Sequence, residues 1–251
     1  MISFKNRNVL ITGGSRGIGK ACVELFAKAD ANIAFTYLNA EKKAIDLEKN
    51  YSSKIKIKAY KTDLSSSEQI KSTCQNILND FEKIDVLVNN AGIWKEASID
   101  EMKIDEWNEM ININLTSAYL FTKFLIPSMK KNKYGKIINI ASTAGQRGEA
   151  FHSHYAASKG GMISFTKSLA PELGKFSITV NCVAPGWVKT DMTYSELENE
   201  IVHKKVLEDI PLNKVGEPEE IAGPVLFLAS ELASHITGEI LNVNGGSVLC
   251  G

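Results

Sequence analysis

The chain has 251 residues, of which 44% are hydrophobic and 23% charged. That composition supports one large domain that buries its own core, and it excludes a disordered or collagen-like chain. Lys plus Arg and Asp plus Glu balance at 29 each, which argues against nucleic acid as a partner, because phosphate binding needs a basic surface.

Strand-like runs at Asn8–Ile11, Asn32–Thr36, Lys54–Tyr60, Asp85–Val88, Lys136–Ile140, Ser177–Val183 and Ile240–Val243 alternate with amphipathic stretches. The stretches lie near residues 18–29, 41–50, 66–82, 105–131, 155–173 and 217–231. Alternating strand and helix predicts a parallel, doubly wound α/β sheet of seven strands with helices on both faces. The continuous apolar run Val86-Leu87-Val88 suits a strand covered on both sides. No Gly/Ser linker, repeat or charge block divides the chain, so residues 1–251 read as one domain. The main non-periodic segment, near residues 190–217, is expected to hold a substrate lid.

Cys22, Cys74, Cys182 and Cys250 form neither a CxxC pair nor a Cys/His cluster, so they read as free thiols in a reducing compartment rather than metal ligands. Met1–Leu10 contains Lys5, Asn6, Arg7 and Asn8 and lacks the apolar core of a signal peptide. Apolar windows such as Val225–Ala229 are too short to cross a bilayer. A soluble, cytoplasmic protein with no membrane partner is expected.

The first strand runs into Thr12-Gly13-Gly14-Ser15-Arg16-Gly17-Ile18-Gly19 and then a helix. Glycines there allow unusual φ angles and close backbone approach, and the amides of a helix N-terminus can face a pyrophosphate. A glycine pattern alone also fits a tight turn; its place directly after the first strand favours a dinucleotide. Tyr155 and Lys159, four residues apart, share one helix face. By spacing alone a surface Tyr over a solvated Lys is the better reading.

The G-x-x-x-G-x-G spacing with its leading Thr resembles the short-chain dehydrogenase/reductase family, and the resemblance continues in order along the chain. It includes Asn89-Asn90-Ala91-Gly92, Asn114 in INLT, Ser142 thirteen residues before Tyr155, and the YxxxK of Tyr155 and Lys159. Pro185-Gly186 with Thr190, and Ile236–Glu239 through Asn244-Gly245-Gly246, complete the set. Within the family, APGWVKTDM (Ala184–Met192) and IPLNKVGEPEEI (Ile210–Ile221) are most similar to bacterial 3-oxoacyl-[acyl-carrier-protein] reductases. The resemblance implies a Rossmann-type fold and a catalytic set of Asn114, Ser142, Tyr155 and Lys159. Tyr155 would protonate a carbonyl oxygen, Ser142 would hydrogen-bond it, Lys159 would hold the nicotinamide ribose, and Asn114 would hold a relay water. A phenol near pKa 10 needs a stabilised anion to act at neutral pH, which a nearby ammonium provides. Read without the family, Ser142 is equally a turn hydroxyl and Asn114 a capping or helix-kinking amide.

The same resemblance lays a nicotinamide dinucleotide along Gly13, Ser15, Arg16, Gly17, Ile18, Gly19, Tyr37, Leu38, Asp63, Leu64, Asn90, Ala91 and Gly92. It continues past Tyr155, Lys159, Pro185, Gly186, Val188 and Thr190. Asp63 alone reads as a cap for the next helix, which Ser65–Ser67 could serve instead. The second strand ends Phe35-Thr36-Tyr37-Leu38-Asn39 without the acid that an NAD site uses on the ribose. Arg16 stands in the glycine turn, where a guanidinium suits a 2′-phosphate. NADP(H) is therefore the expected cofactor.

His152 and His154 are expected at the substrate mouth or in solvent rather than on a metal, and Trp94 and Trp187 either in the pocket wall or in the core. Of two basic positions that family members use near the site mouth to dock an acyl carrier protein, Lys133 keeps its charge and Phe176 does not, although Lys175 adjoins it. The C-terminal Ser247–Gly251 departs from the family's Met-rich ending. Three functions remain open: reduction of a 3-oxoacyl thioester, action on another ketone, sugar or polyol, and a non-catalytic NADP sensor. Intact Ser142, Tyr155 and Lys159 speak against the sensor. The family implies a homotetramer.

Overall fold

Seven strands form one sheet in the order β3-β2-β1-β4-β5-β6-β7, with every neighbouring pair parallel. The computed structural model describes residues 2–249; Cys250 lies outside them. The strands are β1 (Asn8–Ile11), β2 (Asn32–Tyr37), β3 (Ile57–Lys61), β4 (Val86–Asn89), β5 (Gly135–Ile140), β6 (Ile178–Pro185) and β7 (Ile240–Val243). The expected doubly wound sheet is thus present, and its strand order reverses between β1 and β4. The third strand begins later than expected because Tyr51 keeps its carbonyl in a turn with Lys54 and Ile55 amides.

The sheet's period of two assigns its side chains to two cores. Val9, Ile11, Ile33, Phe35, Val86, Val88, Ile138 and Ile140 pack on one face against α1 (Gly17–Lys28), α2 (Glu41–Tyr51) and α10 (Pro218–Ala229). Leu10, Ala34, Leu87, Ile137 and Val180 pack on the other against α3 (Ser67–Phe81), α5 (Ser117–Asn132) and α7 (Ser153–Leu173). These faces are buried and apolar, which is why the strands read as apolar runs rather than alternations.

Two segments depart from the sequence reading. The helix expected over 105–131 is α4 (Ile104–Ile111), a π-helical turn at Asn112–Thr116, and then α5. Within that turn the fully buried Asn114 carboxamide leaves the helix to bond both Ile93 backbone groups, accepting from the amide at 2.8 Å and donating to the carbonyl at 2.9 Å. The segment near 190–217 folds into α8 (Tyr194–Glu198) and α9 (Glu200–Glu208), with a small core of Val206, Ile210 and Val215 on Trp187. α9 starts at Asn199, whose side chain accepts from the Ile201 and Val202 amides. α6 (Ala144–Arg147) is a single turn after β5.

Buried polar side chains stitch the sheet centre to the helices. Asn89 on β4 donates to Asn139 on β5 at 2.8 Å, and Asn139 donates to Thr166 on α7 at 2.9 Å. Truncating the middle of this chain strands two buried partners. Asn139→Ala is expected to lower unfolding free energy by about 1–3 kcal/mol, read as a lower urea midpoint at unchanged slope.

Candidate active site

A cleft of about 450 Å³ opens where the sheet order reverses, at the carboxyl ends of β1, β4, β5 and β6. Its floor is the turn after β1. Gly13 and Gly17 take φ of +67° and +52°, which glycine alone adopts without strain. A Cβ at Gly19 would stand 2.2 Å from the Gly13 carbonyl oxygen, so only glycine lets α1 begin so close to the strand. Thr12 joins the two strands across the reversal: its Oγ1 accepts from the Asn90 and Ala91 amides at 3.0 Å each. Asn90 returns a bond from Nδ2 to the Thr12 carbonyl at 2.9 Å. α1 opens without a side-chain cap and without an acid in its first turn, leaving its amides and the positive end of its dipole free for an anion.

Every residue that the sequence placed along the dinucleotide lines this cleft. Asp63 serves the turn as well: its carboxylate accepts from Ser65 N and Oγ at 2.9 and 2.7 Å, while Ser66 caps α3. The sequence missed Thr36, Asn39, Ala40, Ile93, Ile113 and Asp191, which also line it. Thr36 carries the clearest signal, because its hydroxyl accepts from the Gly13 amide at 3.1 Å and its carbonyl from Gly14 at 2.9 Å. The end of β2 is less free of acid than its sequence suggests. Glu41 and Glu48 lie near enough to Tyr37 to help burial hold its phenol above the usual range. Glu41 is paired with Lys61 at 3.8 Å, and Glu48 accepts from the Ala59 amide at 3.1 Å.

Ser142, Tyr155 and Lys159 line the same cleft. Gly145 sets their separation. A Cβ there would stand 2.5 Å from the Lys159 carbonyl carbon, so α6 and α7 touch backbone to backbone. Ser142 turns the chain into α6 by accepting from the Ala144 amide at 3.1 Å, and the same residue lines the cleft. Burial pushes Tyr155 up to about 12, against a lowering by the Ser142 hydroxyl beside it. Burial also draws Lys159 down to about 8, and its Nζ donates to the Ile140 carbonyl at 2.8 Å. That Nζ sits 5.8 Å from the Tyr155 ring centre. Asn114 does not line the cleft. Its carboxamide lies beneath Gly92, bonded to Ile93 and to Ser158 Oγ at 3.1 Å.

A second pocket of about 70 Å³ meets the cleft at Ser142, Tyr155, Gly186, Met192 and Thr193. Its outer wall holds Trp94, Trp187, Arg147 and Glu149. Trp94 stacks on His152 at 4.4 Å and meets Trp187 edge-on at 6.0 Å. His152 and His154 are themselves buried, away from both mouth and solvent. Among the described residues no group of three His, Cys, Asp or Glu could hold a metal. Cys22, Cys74 and Cys182 are buried thiols pushed up to about 12, as inert core groups are.

The residues present fit a nicotinamide dinucleotide. The glycine cradle leaves room for a pyrophosphate, the uncapped helix end offers amide donors, and Lys159 and Tyr155 reach the far end of the cleft. A family model described as enoyl-(acyl carrier protein) reductase matches residues 13–247. The 3-oxoacyl-[acyl-carrier-protein] reductase FabG of Aquifex aeolicus is 41% identical over 98% of this chain and 98% of its own. The Vibrio harveyi FabG is 40% identical over the same shares. A crystal structure provisionally assigned as a gluconate dehydrogenase from Agrobacterium tumefaciens superposes with a TM-score of 0.94, at 30% identity and 98% coverage of each chain.

Lys159 makes a stability prediction of its own. Its folded value near 8 lies below the ordinary 10.5, so between those pH values the unfolded chain holds a proton that the folded chain has shed. Stability therefore rises with pH across that window. Wild type should gain about 3 kcal/mol relative to Lys159→Met between pH 8 and 10.5, measured by chemical denaturation of both proteins at each pH.

Proposed function

From a chain that belongs to the short-chain dehydrogenase/reductase family, as an oxidoreductase acting on CH–OH and C=O groups, we propose a reductase of 3-oxoacyl thioesters that uses NADPH. The observation that carries this reading is the junction of the two pockets. Ser142 and Tyr155 stand where the long cleft, which fits the dinucleotide, meets the small one, which fits a reacting carbonyl.

When bound, the cofactor supplies the hydride to the carbonyl carbon. Ser142 Oγ donates a hydrogen bond to the carbonyl oxygen and orients it. Tyr155 gives that oxygen its proton; burial holds the phenol well above the operating range, so the proton's departure relies on the Ser142 hydroxyl and the Lys159 ammonium to stabilise the phenolate. Lys159, still mostly cationic at pH 7 with a value near 8, steadies the phenolate left behind and holds the ribose hydroxyls. Asn114, with its side chain committed to Ile93, acts on any relay water through the backbone of the π turn rather than through its amide. Residues 190–217 close over the substrate as a lid with its own core.

Two further observations bear on the substrate. Lys130 and Lys175 flank the Phe176 ring at 4.8 and 5.3 Å, a basic surface suited to an acidic carrier. It lies before β5 and β6, at the edge of the sheet opposite the cleft. A carrier docked there would serve the site of another copy of the chain, in keeping with a homotetramer. The second observation favours a different class. A pocket of about 70 Å³ walled by two indoles beside Arg147 and Glu149 suits a short polar substrate such as a hydroxylated ketone or polyol. Turnover of acetoacetyl-CoA against a panel of sugars, polyols and small ketones separates the two; no turnover of the thioester overturns the first.

Tyr155→Phe should lower kcat by roughly 10²- to 10⁴-fold while leaving NADPH affinity near wild type, since the hydroxyl supplies the proton and little of the grip. Stopped-flow rates and equilibrium titration check the two halves separately.

Arg16→Ala should weaken NADPH by about 10-fold, as loss of one charge-assisted contact implies, and leave NADH nearly unchanged. Adding Tyr37→Asp should move preference further toward NADH, because its carboxylate repels the 2′-phosphate. The measurement is kcat/KM with both cofactors for wild type and each variant, and a wild type that prefers NADH would overturn the assignment.

A further inference from the structure

At the Arg16 end of the cleft lies a charge cluster of which the proposed function uses Arg16 alone. Three side chains from separate elements meet there. Arg16 belongs to the glycine turn, Lys43 to the first turn of α2, and Asp191 to the loop after β6. The Asp191 carboxylate stands 3.1 Å from Lys43 Nζ and 3.8 Å from the Arg16 guanidinium. Asp191 lines the cleft, as do Tyr37, Leu38, Asn39 and Ala40 just before α2. An oxygen anion held between two cations at this place marks a seat for a negative group.

The loop fixes where that carboxylate stands. Thr193 Oγ1 donates to the Val188 carbonyl at 2.5 Å and accepts from the Thr190 amide at 3.2 Å, closing a turn with Asp191 inside it. Thr190 in turn lies against Gly17, where a Cβ would meet its methyl at 3.3 Å. All three charged groups are about half exposed or more. Each ion pair is therefore weak and exchangeable, as a seat that must change occupants requires. The acid in the first turn of α2, Glu41, is already paired with Lys61.

We infer that Lys43 joins Arg16 as a second cation for the 2′-phosphate of the dinucleotide, and that Asp191 occupies the phosphate's place until it is displaced. This rests on the NADPH reading. Charge balance supports it. Two cations and one carboxylate leave a net positive charge, which a phosphate monoester near −2 neutralises once the carboxylate has left. A dinucleotide without that phosphate offers nothing to exchange, so Asp191 keeps its partners. Lys43 thus selects for the phosphate and Asp191 tunes how tightly it is held, by internal competition.

The test is calorimetric binding of 2′,5′-ADP and of 5′-AMP, which differ only in the 2′-phosphate, to the intact protein, for wild type, Lys43→Ala and Asp191→Asn. Wild type should bind 2′,5′-ADP more tightly than 5′-AMP; equal affinity removes the NADPH reading itself. With that preference established, Lys43→Ala should weaken 2′,5′-ADP by roughly 2- to 5-fold and leave 5′-AMP unchanged. Asp191→Asn should tighten 2′,5′-ADP by a similar factor, also without effect on 5′-AMP. An unchanged 2′,5′-ADP affinity in Lys43→Ala overturns the proposal while the NADPH reading stands. So does an equal loss of both nucleotides in Asp191→Asn, because it would make Asp191 a clamp over the bound molecule rather than a competitor for its seat.

Discussion

The site depends on one contact between backbones, that of Gly19 with the carbonyl of Gly13. A side chain at residue 19 would also stand 2.5 Å from Asn90 Nδ2, the amide that ties β4 to β1. Because residue 19 has none, α1 begins directly over the place where the strand order reverses. Its open amides then face the same cleft that β4, β5 and β6 enter with their carboxyl ends. In a parallel sheet those ends all lie on one edge, so Asn90, Ser142 and Gly186 arrive together although nearly a hundred residues separate the first from the last.

A second close approach does for the chemistry what the first does for the cofactor. Gly145 lets α6 rest on the backbone of Lys159, which draws the Ser142 turn toward the helix carrying Tyr155. The packing that achieves this also removes water, and removing water disfavours charge on both titrating groups. The phenol is held neutral and the ammonium becomes easier to discharge. The two shifts are opposite in direction and alike in cause, since each disfavours the charged form of its group.

What the sequence reveals follows from where each signal resides. The seven strands are legible because their residues are apolar on both faces. The glycine turn is legible because its requirement is local: positive φ and no Cβ. Tyr155 and Lys159 need only helical spacing to be placed together. Less legible are features created by partners distant in the chain. Asn114 breaks its helix because the Ile93 backbone lies beside it, and no pattern within residues 105–131 announces that. α8 and α9 are too short for periodicity to show. The acids near Tyr37 come from α2, a turn or more past the strand end where an acid is usually sought. His152 and His154 look polar and turn out buried, since one packs flat on Trp94. Asp191 is an ordinary loop acid in the sequence, and only the folding of that loop across the cleft brings it to Arg16 and Lys43.

The π turn at Asn112–Thr116 has a consequence for insertions and deletions. Such a turn holds one residue more than the α-helical path between the same two points. Removing that extra residue would restore a regular helix between the same two points, so Phe121, Leu125 and Met129, all buried against the sheet, would keep their places in the core. The loss would be local: Asn114 would give up its hold on Ile93. The same deletion made within α5 would instead turn everything after it by about 100° about the axis and swing those side chains off the core. The turn is therefore a place where chain length can change by one residue while the phase of the following helix is kept, at the cost of the Asn114 contact alone.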